Sequence, residues 1–245
     1  MIRLTFGFIR KFGRAFFDPR IVMIGVTVSF MLLSCSVNTE PLQDISGSTK
    51  GIASPERLVR CGAKRVDDGA IRILFVGNSL TYSNNLPKLL EVVGNAHGKN
   101  LITEALALPN YALEDHWNDN KMQAMICEGN FDFVVVQQGP SSQADGREML
   151  LDFGQRIKKL CESRGTELAF FMVWPAKANY HTFDGVITNY TDAASETGSL
   201  LCAVGTEFKM HGDVGSYWFY SADNFHPSVE GSQRAAEIIY STLIK

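Results

Sequence analysis

Short apolar runs alternate along this chain with segments whose apolar residues recur at helical spacing. The runs, rich in Val, Ile, Leu and Phe, occupy residues 71–76, 101–108, 131–136 and 167–174. Nearly continuous apolar strands of this kind are typical of a parallel sheet that helices cover on both faces. The alternation therefore predicts an α/β domain with a central parallel sheet.

The spacing also predicts where the helices lie and where a ligand would bind. The expected helices are 86–97, 113–127, 149–161, 183–197 and a last one that begins at Pro227, and a short fifth strand is expected at 199–204. The carboxyl ends of parallel strands meet at one edge of the sheet, and open α/β sheets bind their ligands there. The loops that follow the strands, and the segment before the last helix, are therefore the places to look for chemistry.

Composition bounds the class of protein. The 245 residues are 45% hydrophobic and 20% charged, with a formal net charge of -3. These values exclude a long disordered chain and give no reason to expect a nucleic-acid partner. The length suits one folded domain, which we place at residues 66–245. No apolar run reaches the ~20 residues that a membrane-spanning helix needs.

Residues 1–34 have the features of an export signal. A basic segment over residues 1–20 precedes the uncharged stretch Ile21–Leu33, which leads into Leu-Leu-Ser-Cys at Cys35. That order describes a secretory signal. The Cys35 motif resembles the lipobox of bacterial lipoproteins, which implies cleavage before Cys35 and lipid on its sulfur; an uncleaved anchor and a plain signal are the alternatives. The expected protein is an exported lipoprotein of the bacterial cell envelope, with the membrane as partner of Cys35 and residues 35–65 as a linker.

The remaining cysteines do not form a metal-binding pattern. There is no Cys-x-x-Cys spacing, and no metal spacing links the histidines, so no metal site is expected. Cys161 and Cys202 lie in apolar patterns and are expected to be small core residues. Cys61 and Cys127 are the one pair that we consider for a disulfide, which an exported chain would permit.

Two polar segments carry side chains suited to nucleophilic catalysis. Gly77–Thr81 follows the first strand directly, and Asp223–Ser228 leads into the last helix. A serine hydroxyl needs an adjacent base, and histidine, with an ordinary pKa of about 6.5, is the natural one. Asp223 can accept the Nδ1 proton of His226, which leaves Nε2 for Ser79. On its own, Ser79 would be interpreted equally well as a turn or helix-cap residue.

Together, the two segments resemble the motifs of the SGNH/GDSL hydrolases, in a branch whose first motif reads Gly-Asn-Ser-Leu-Thr. The resemblance covers about residues 71–245 and includes Asp223-x-x-His226-Pro and Gly231. It implies a three-layer α/β/α, flavodoxin-like fold and ester hydrolysis through an acyl-serine, with no cofactor. By this resemblance Ser79 is the nucleophile, His226 the general base and Asp223 the residue that orients the base.

The sequence departs from this family where the oxyanion donors usually lie. Family members supply a Gly after the second strand and an Asn after the third, and this chain has neither. The candidate donors are the Ser79 backbone N–H, Asn110 and the Gln138 amide, with Gln137 as the competitor of Gln138. Loss of such donors leaves room for a slow or inactive member of the family.

Two further residues are candidates to support the catalytic side chains. Asn78 directly precedes the serine, and His116 follows the second strand. For His116 a structural role is the favoured interpretation, with a supporting or substrate-contacting role as the alternative.

The resemblance and the expected surface location predict the hydrolysis of small acyl esters, such as acetate, on a small-molecule or glycan substrate. One alternative is a lipase or lysophospholipase, which would need an apolar acyl channel. Another is a surface lipoprotein with a decayed oxyanion hole that binds glycan without cleaving it.

Overall fold

The computed structural model describes residues 68–244. Its five strands are β1 Ile71–Gly77, β2 Leu101–Ala107, β3 Phe133–Val136, β4 Glu167–Phe171 and β5 Leu200–Cys202. They form one parallel sheet in the order β2-β1-β3-β4-β5. The expected signal segment and the whole of the expected linker, with Cys35 and Cys61, lie outside the described residues and stay predictions.

Helices connect the strands and cover the sheet. They are α1 Ser79–Tyr82, α2 Leu86–Ala96, α3 Leu113–Asn118, α4 Lys121–Glu128, α5 Ala144–Glu162, α6 Phe183–Thr197, α7 Val204–Asp213 and α8 Val229–Leu243, with short 3₁₀ segments at Ser83–Asn85 and Lys177–Thr182. On one face α2 packs against α8, and on the other α5 packs against α6. The predicted three-layer α/β/α fold is confirmed.

The strands are buried because both faces of the sheet are covered. β1 is buried from Ile73 to its end, and the last three residues of β3 are buried as well. The apolar runs seen in the sequence are therefore core residues of a parallel sheet, as their continuity indicated.

The strand order reverses at β1. The chain passes from β1 outward to β2 and then returns to β3, on the other side of β1. Val76 of β1 pairs with Val136 of β3, so the two strands end side by side. The crevice beyond such a reversal is the ligand site of open α/β sheets, and here it lies beyond Gly77 and Gln137.

The last helix begins later than expected. α8 starts at Val229 rather than at Pro227, because Ser228 caps it and accepts the Gly231 N–H with its hydroxyl at 3.0 Å. Pro227 instead forms an antiparallel bridge with Tyr220. The bridge places the residue before Pro227 in a loop that neighbouring backbone holds, rather than in a first helical turn.

Two other helices differ from the expectation. The segment 113–127 contains two helices, because Asn120 takes a left-handed conformation with φ of 60° between them. α7 was not predicted at all. It contains Gly205 and Gly212, which disfavour helix locally, so packing rather than propensity forms it.

The cysteines of the described range are buried. Burial raises the pKa of the Cys161 and Cys202 thiols to about 12, in keeping with core positions. Cys127 is buried in α4 and disulfide-bonded. Because Cys61 is not described, its pairing with Cys127 stays a prediction. Of the helices within residues 68–244, none combines the length and apolarity that a membrane crossing needs.

Candidate active site

Ser79 lies at the carboxyl edge of the sheet, as the first residue of α1. Asn78 caps this short helix: its side-chain oxygen accepts the Leu80 N–H at 3.2 Å, and its carbonyl accepts the Thr81 N–H at 2.9 Å. The N–H of Ser79 precedes the hydrogen-bond ladder of the helix. It can therefore donate to an oxygen held beside the Ser79 hydroxyl. We call residues 77–81 the serine turn.

Gly77 allows two side chains to crowd the start of the serine turn. A Cβ at Gly77 would lie 2.4 Å from Thr81 Oγ1 and 2.5 Å from Gln137 Oε1. Gln137 Oε1 accepts both the Thr81 hydroxyl and the Asn78 N–H at 2.9 Å. A larger residue at position 77 would break the contacts that hold the turn against the end of β3.

The histidine loop, residues 221–228, places His226 against Ser79. His226 Nε2 lies 2.9 Å from Ser79 Oγ, although the two residues are 147 positions apart in the chain. His226 Nδ1 lies 2.6 Å from Asp223 Oδ2. An ionised carboxylate only accepts, so Nδ1 carries the proton and Nε2 is left to accept the serine proton. The three side chains form the hydrogen-bonded series that activation of a serine requires.

Asp223 is fixed by groups of its own loop. Its Oδ1 accepts the Ser221 hydroxyl at 2.7 Å and the N–H groups of Phe225 and His226 at 2.9 Å each. These hydrogen bonds, the one from Ser221 foremost, hold the pKa of the Asp223 carboxyl well below its usual range. The carboxylate is therefore ionised at neutral pH and is oriented before any ligand binds.

The histidine loop is also held through its backbone. The Trp174 indole N–H donates to the Phe225 carbonyl at 2.9 Å, and the Lys177 N–H donates to the Asn224 carbonyl at 2.9 Å. Trp174 is itself fully buried after β4. The loop is thus tied to the core although its own side chains are partly exposed.

Asn84, which the sequence did not single out, joins the two segments. Its Nδ2 lies 3.0 Å from the Pro227 and Ser228 carbonyls and 2.9 Å from Ser232 Oγ. Asn84 and Asn85 both have left-handed backbone, with φ of 51° and 55°, which Asn tolerates better than most residues. The Asn-Asn pair after the serine turn was a signal of unusual backbone, but its distant partners could not be inferred from it.

Asn110 occupies the left-handed position of a turn at the edge of the site. Its φ is 60°, it follows Pro109, and the Tyr111 N–H donates to the Leu108 carbonyl at 3.3 Å. Such a turn prefers Gly at this position and accepts Asn. Asn110 therefore allows this turn to form without a Gly, and it lines the cavity that contains Ser79.

Gln137 and Gln138 are buried, and their amides are used inside the protein. Gln137 accepts through Oε1 as described, and its Nε2 donates to the Gln138 carbonyl at 2.7 Å. Gln138 Nε2 donates to Ser141 Oγ at 2.8 Å and to the Gly146 carbonyl at 3.3 Å. The structure therefore does not present either amide to the cavity as a free donor. The Gln side chain, longer than Asn, reaches acceptors behind the cavity wall.

His116 lies behind the serine turn. It is buried, and its Nε2 donates to the Gly77 carbonyl at 2.8 Å. Burial lowers the pKa of His116, which keeps the ring neutral with a proton on Nε2. The centroids of the His116 and Tyr111 rings lie 5.0 Å apart. The Tyr111 carbonyl accepts a hydrogen bond from Asn78 Nδ2 at 3.0 Å. Through these contacts His116 supports the backbone at Gly77.

A cavity of about 500 Å³ opens beside Ser79. One wall is Asn110–Ala112, and the other consists of Gln138–Gln143 and the first turns of α5. Among the described residues that line it, Asp145 is the one that carries a charge. The volume is far more than an acetyl group fills. Within residues 68–244, no cluster of three or more His, Cys, Asp or Glu side chains could hold a metal ion.

The similarity of this chain to known proteins lies in its three-dimensional fold. No protein-family model and no curated protein sequence matches the chain. A protein from Slackia heliotrinireducens assigned to the SGNH hydrolases is 25% identical, with a TM-score of 0.60 over 71% of this chain and 98% of that one. A lipase/acylhydrolase from Enterococcus faecalis is 15% identical, with a TM-score of 0.57 over 70% and 94%. An acetylxylan esterase from Geobacillus stearothermophilus is 16% identical, with a TM-score of 0.53 over 71% and 94%.

The chain therefore has the flavodoxin-like α/β/α fold of the SGNH hydrolases. Its likeness to these hydrolases supports a serine hydrolase that acts on ester bonds. Ser79, His226 and Asp223 are joined in series at the point where the strand order reverses. The fold and the enzyme class that the sequence predicted are both confirmed.

Proposed function

We propose that Ser79 is the nucleophile of this esterase, that His226 is its general base and acid, and that Asp223 orients the imidazole. The observation that carries the proposal is the unbroken series of hydrogen bonds, 2.9 Å from Ser79 Oγ to His226 Nε2 and 2.6 Å from Nδ1 to Asp223 Oδ2. Both distances lie within the reach that proton transfer requires.

In the first step Ser79 Oγ bonds to the ester carbonyl carbon while its proton passes to His226 Nε2. The carbonyl oxygen becomes an oxyanion, and we assign the Ser79 N–H and Asn110 as its donors. Donors that face developing charge stabilise the transition state more than the bound ester. The imidazolium formed in this step faces the Asp223 carboxylate, which stabilises it.

The tetrahedral intermediate then collapses. The bond to the alcohol oxygen breaks, the alcohol leaves with the proton from His226 Nε2, and the acyl group stays on Ser79. Water takes the place of the alcohol, gives a proton to His226 and attacks the acyl carbon. The carboxylic acid departs and Ser79 Oγ recovers its proton, so the chain ends as it began.

We further propose that the substrate is an ester of a small acyl group, such as acetate, on a carbohydrate. The cavity beside Ser79 combines polar side chains, among them Asn110 and Ser142, with apolar ones, among them Leu80, Met149 and Phe225, and this lining accommodates a short acyl group next to a polar alcohol. The same fold serves an acetyl-xylooligosaccharide esterase of Geobacillus stearothermophilus, which supports this choice.

The test is hydrolysis of aryl esters by the purified protein and by Ser79→Ala, with the exposed Ser241→Ala as matched control. We expect turnover of aryl acetate by the first and by the control, and none above background by Ser79→Ala. Equal turnover by Ser79→Ala would overturn the proposal. A rate that increases with acyl chain length would favour the lipase alternative, and sugar binding without turnover would favour the binding protein.

We also propose that the domain is held at the bacterial envelope by lipid on Cys35, on the evidence of the motif alone. In a bacterial host, Cys35→Ser should move the protein from the membrane fraction to the soluble fraction and abolish labelling by a fatty-acid analogue. Unchanged labelling in Cys35→Ser would contradict lipidation at this residue.

A further inference from the structure

A second cavity adjoins the one that contains Ser79. Its volume is about 550 Å³, and both cavities lie within the range typical of ligand pockets, ~300–1,000 Å³. The two share Pro140, Ser142, Gln143 and Phe225 as lining residues. A ligand held at Ser79 can therefore continue along this wall into the second cavity.

The lining of the second cavity is neutral and rich in hydrogen-bonding groups. Among the described residues it includes Ser142, Gln143, Asn179 and Thr182, next to the rings of two prolines and Phe225. Asn179 and Gln143 are exposed, and the Gln143 amide has only a long contact of 3.4 Å with Ser142 Oγ. Amides and hydroxyls beside flat apolar rings suit a ligand that has hydroxyl groups on a carbon ring.

The cations close to this surface are engaged elsewhere. Lys177 follows the lining residue Ala176, but its ammonium lies 4.1 Å from the centroid of the Tyr217 ring. Arg147, one turn into α5, pairs with Asp192 at 2.9 Å and with Glu196 at 3.1 Å. Together with Asp145 in the first cavity, this arrangement disfavours phosphate or carboxylate groups on the ligand.

We propose that the second cavity binds the alcohol part of the ester, and that this alcohol is an uncharged glycan of at least two sugar units. The proposal rests on the esterase function assigned to Ser79, and it adds the length and the charge of the substrate. The acetyl ester lies at Ser79, and the following sugar unit lies against Phe225, within reach of Gln143 and Asn179. A phospholipid has an anionic head group, and no Lys or Arg is among the described residues that line the two cavities.

The experiment measures kcat/KM on an acetylated monosaccharide, on acetylated neutral oligosaccharides of two to six units and on acetylated oligomers of a uronic acid, with aryl acetate as reference. We expect kcat/KM to rise from the neutral monosaccharide to the neutral oligomer, and to be lowest for the anionic oligomer. Neutral oligomers that are no better than the monosaccharide, or anionic ones that match them, would overturn the inference.

Substitutions locate the effect in the second cavity. Asn179→Ala and Gln143→Ala should each lower kcat/KM on the oligomer roughly 2- to 10-fold, the loss of one hydrogen bond. Asn179→Ala, whose side chain lines the second cavity and not the first, should leave the rate on aryl acetate unchanged, whereas Gln143 lines both cavities and serves only the oligomer measurement. Asn100→Ala, an exposed Asn just before β2 at the opposite edge of the sheet, is the control and should change neither. Oligomer rates that both variants leave intact would place the glycan elsewhere.

The two proposals fail in distinguishable ways. If aryl acetate is cleaved by a Ser79-dependent route and the oligomers bring no gain, the esterase assignment stands and only the glycan subsite is lost. If aryl acetate is not cleaved at all, both are lost.

Discussion

The serine turn and the histidine loop meet at one hydrogen bond, yet they are held in different ways. Gly77, Asn78 and Thr81 are buried, and Gln137 and His116 bind their polar groups from behind. In the histidine loop, the side chains of His226 and Asp223 are 34% and 51% exposed. A buried polar group without a partner costs about 1–3 kcal/mol, whereas an exposed one finds water. Damage to the serine turn should therefore lower stability as well as activity, and damage to the histidine loop should lower activity alone.

The largest effect is expected from His226→Ala. Removal of the proposed base should lower kcat on aryl acetate by about 10⁴- to 10⁶-fold, because Ser79 would lose its proton acceptor. The free energy of unfolding should change by less than about 1 kcal/mol, because the ring is partly exposed. Ester hydrolysis and urea denaturation measure the two quantities. A large loss of stability in His226→Ala would remove the contrast between the two segments.

In contrast to His226→Ala, Gln137→Ala should lower stability strongly. It leaves the Asn78 N–H and the Thr81 hydroxyl without their acceptor in the core, and we expect the free energy of unfolding to fall by about 2–4 kcal/mol. Activity should fall with it, because the serine turn loses its support. Gln143→Ala is the matched control at an exposed position and should change stability by less than about 0.5 kcal/mol. Equal stabilities of the two variants would contradict our account of the buried amide.

Asn84→Gly tests the link between the two segments. Glycine keeps the left-handed backbone but removes the amide that donates to the Pro227 and Ser228 carbonyls. We expect kcat to fall about 10-fold with KM unchanged, because His226 is positioned less closely against Ser79. Asn85→Gly, at the adjacent left-handed position, should keep most of the activity. An increase in KM alone would show that Asn84 acts on substrate binding instead.

The smallest effect concerns pH and His116. Burial lowers the pKa of His116 in the folded state, so the unfolded chain takes up this proton first as the pH falls below about 6.5. Stability should therefore decrease below that pH, by at most about 1.4 kcal/mol per pH unit from this residue. Urea denaturation between pH 7.5 and 5.5 should show a smaller decrease for His116→Gln than for the natural protein. The exposed His181→Gln should follow the natural protein, and parallel curves for all three would count against a buried neutral His116.

Local patterns in the sequence were enough for the sheet and for the three residues of the hydrogen-bonded series. Buried parallel strands are continuous apolar runs, and Ser79, Asp223 and His226 lie in short motifs. Supporting residues could not be predicted in the same way, because their roles depend on contacts across the fold. Gln137 meets Asn78 from 59 residues away, and Asn84 meets Ser232 from 148 residues away.

Gln138 was expected to donate its amide N–H to the oxyanion. An amide donor does follow β3, but its hydrogens bind Ser141 and Gly146. Side-chain direction depends on the acceptors that packing brings near, and residue type alone does not fix it. The start of α8 was misplaced for a similar reason: Pro227 suits a first helical turn, but its bridge to Tyr220 holds it outside the helix.

The separation of 147 positions between Ser79 and His226 imposes an order on biosynthesis. A ribosome delivers the hydroxyl early and the imidazole near the end, so a nascent or truncated chain has the nucleophile without its proton acceptor. On the proposed mechanism, ester cleavage can begin only after the histidine loop has reached the serine turn. Turnover would therefore report that the histidine loop has folded against the serine turn, and a chain without that loop would lack the proposed base.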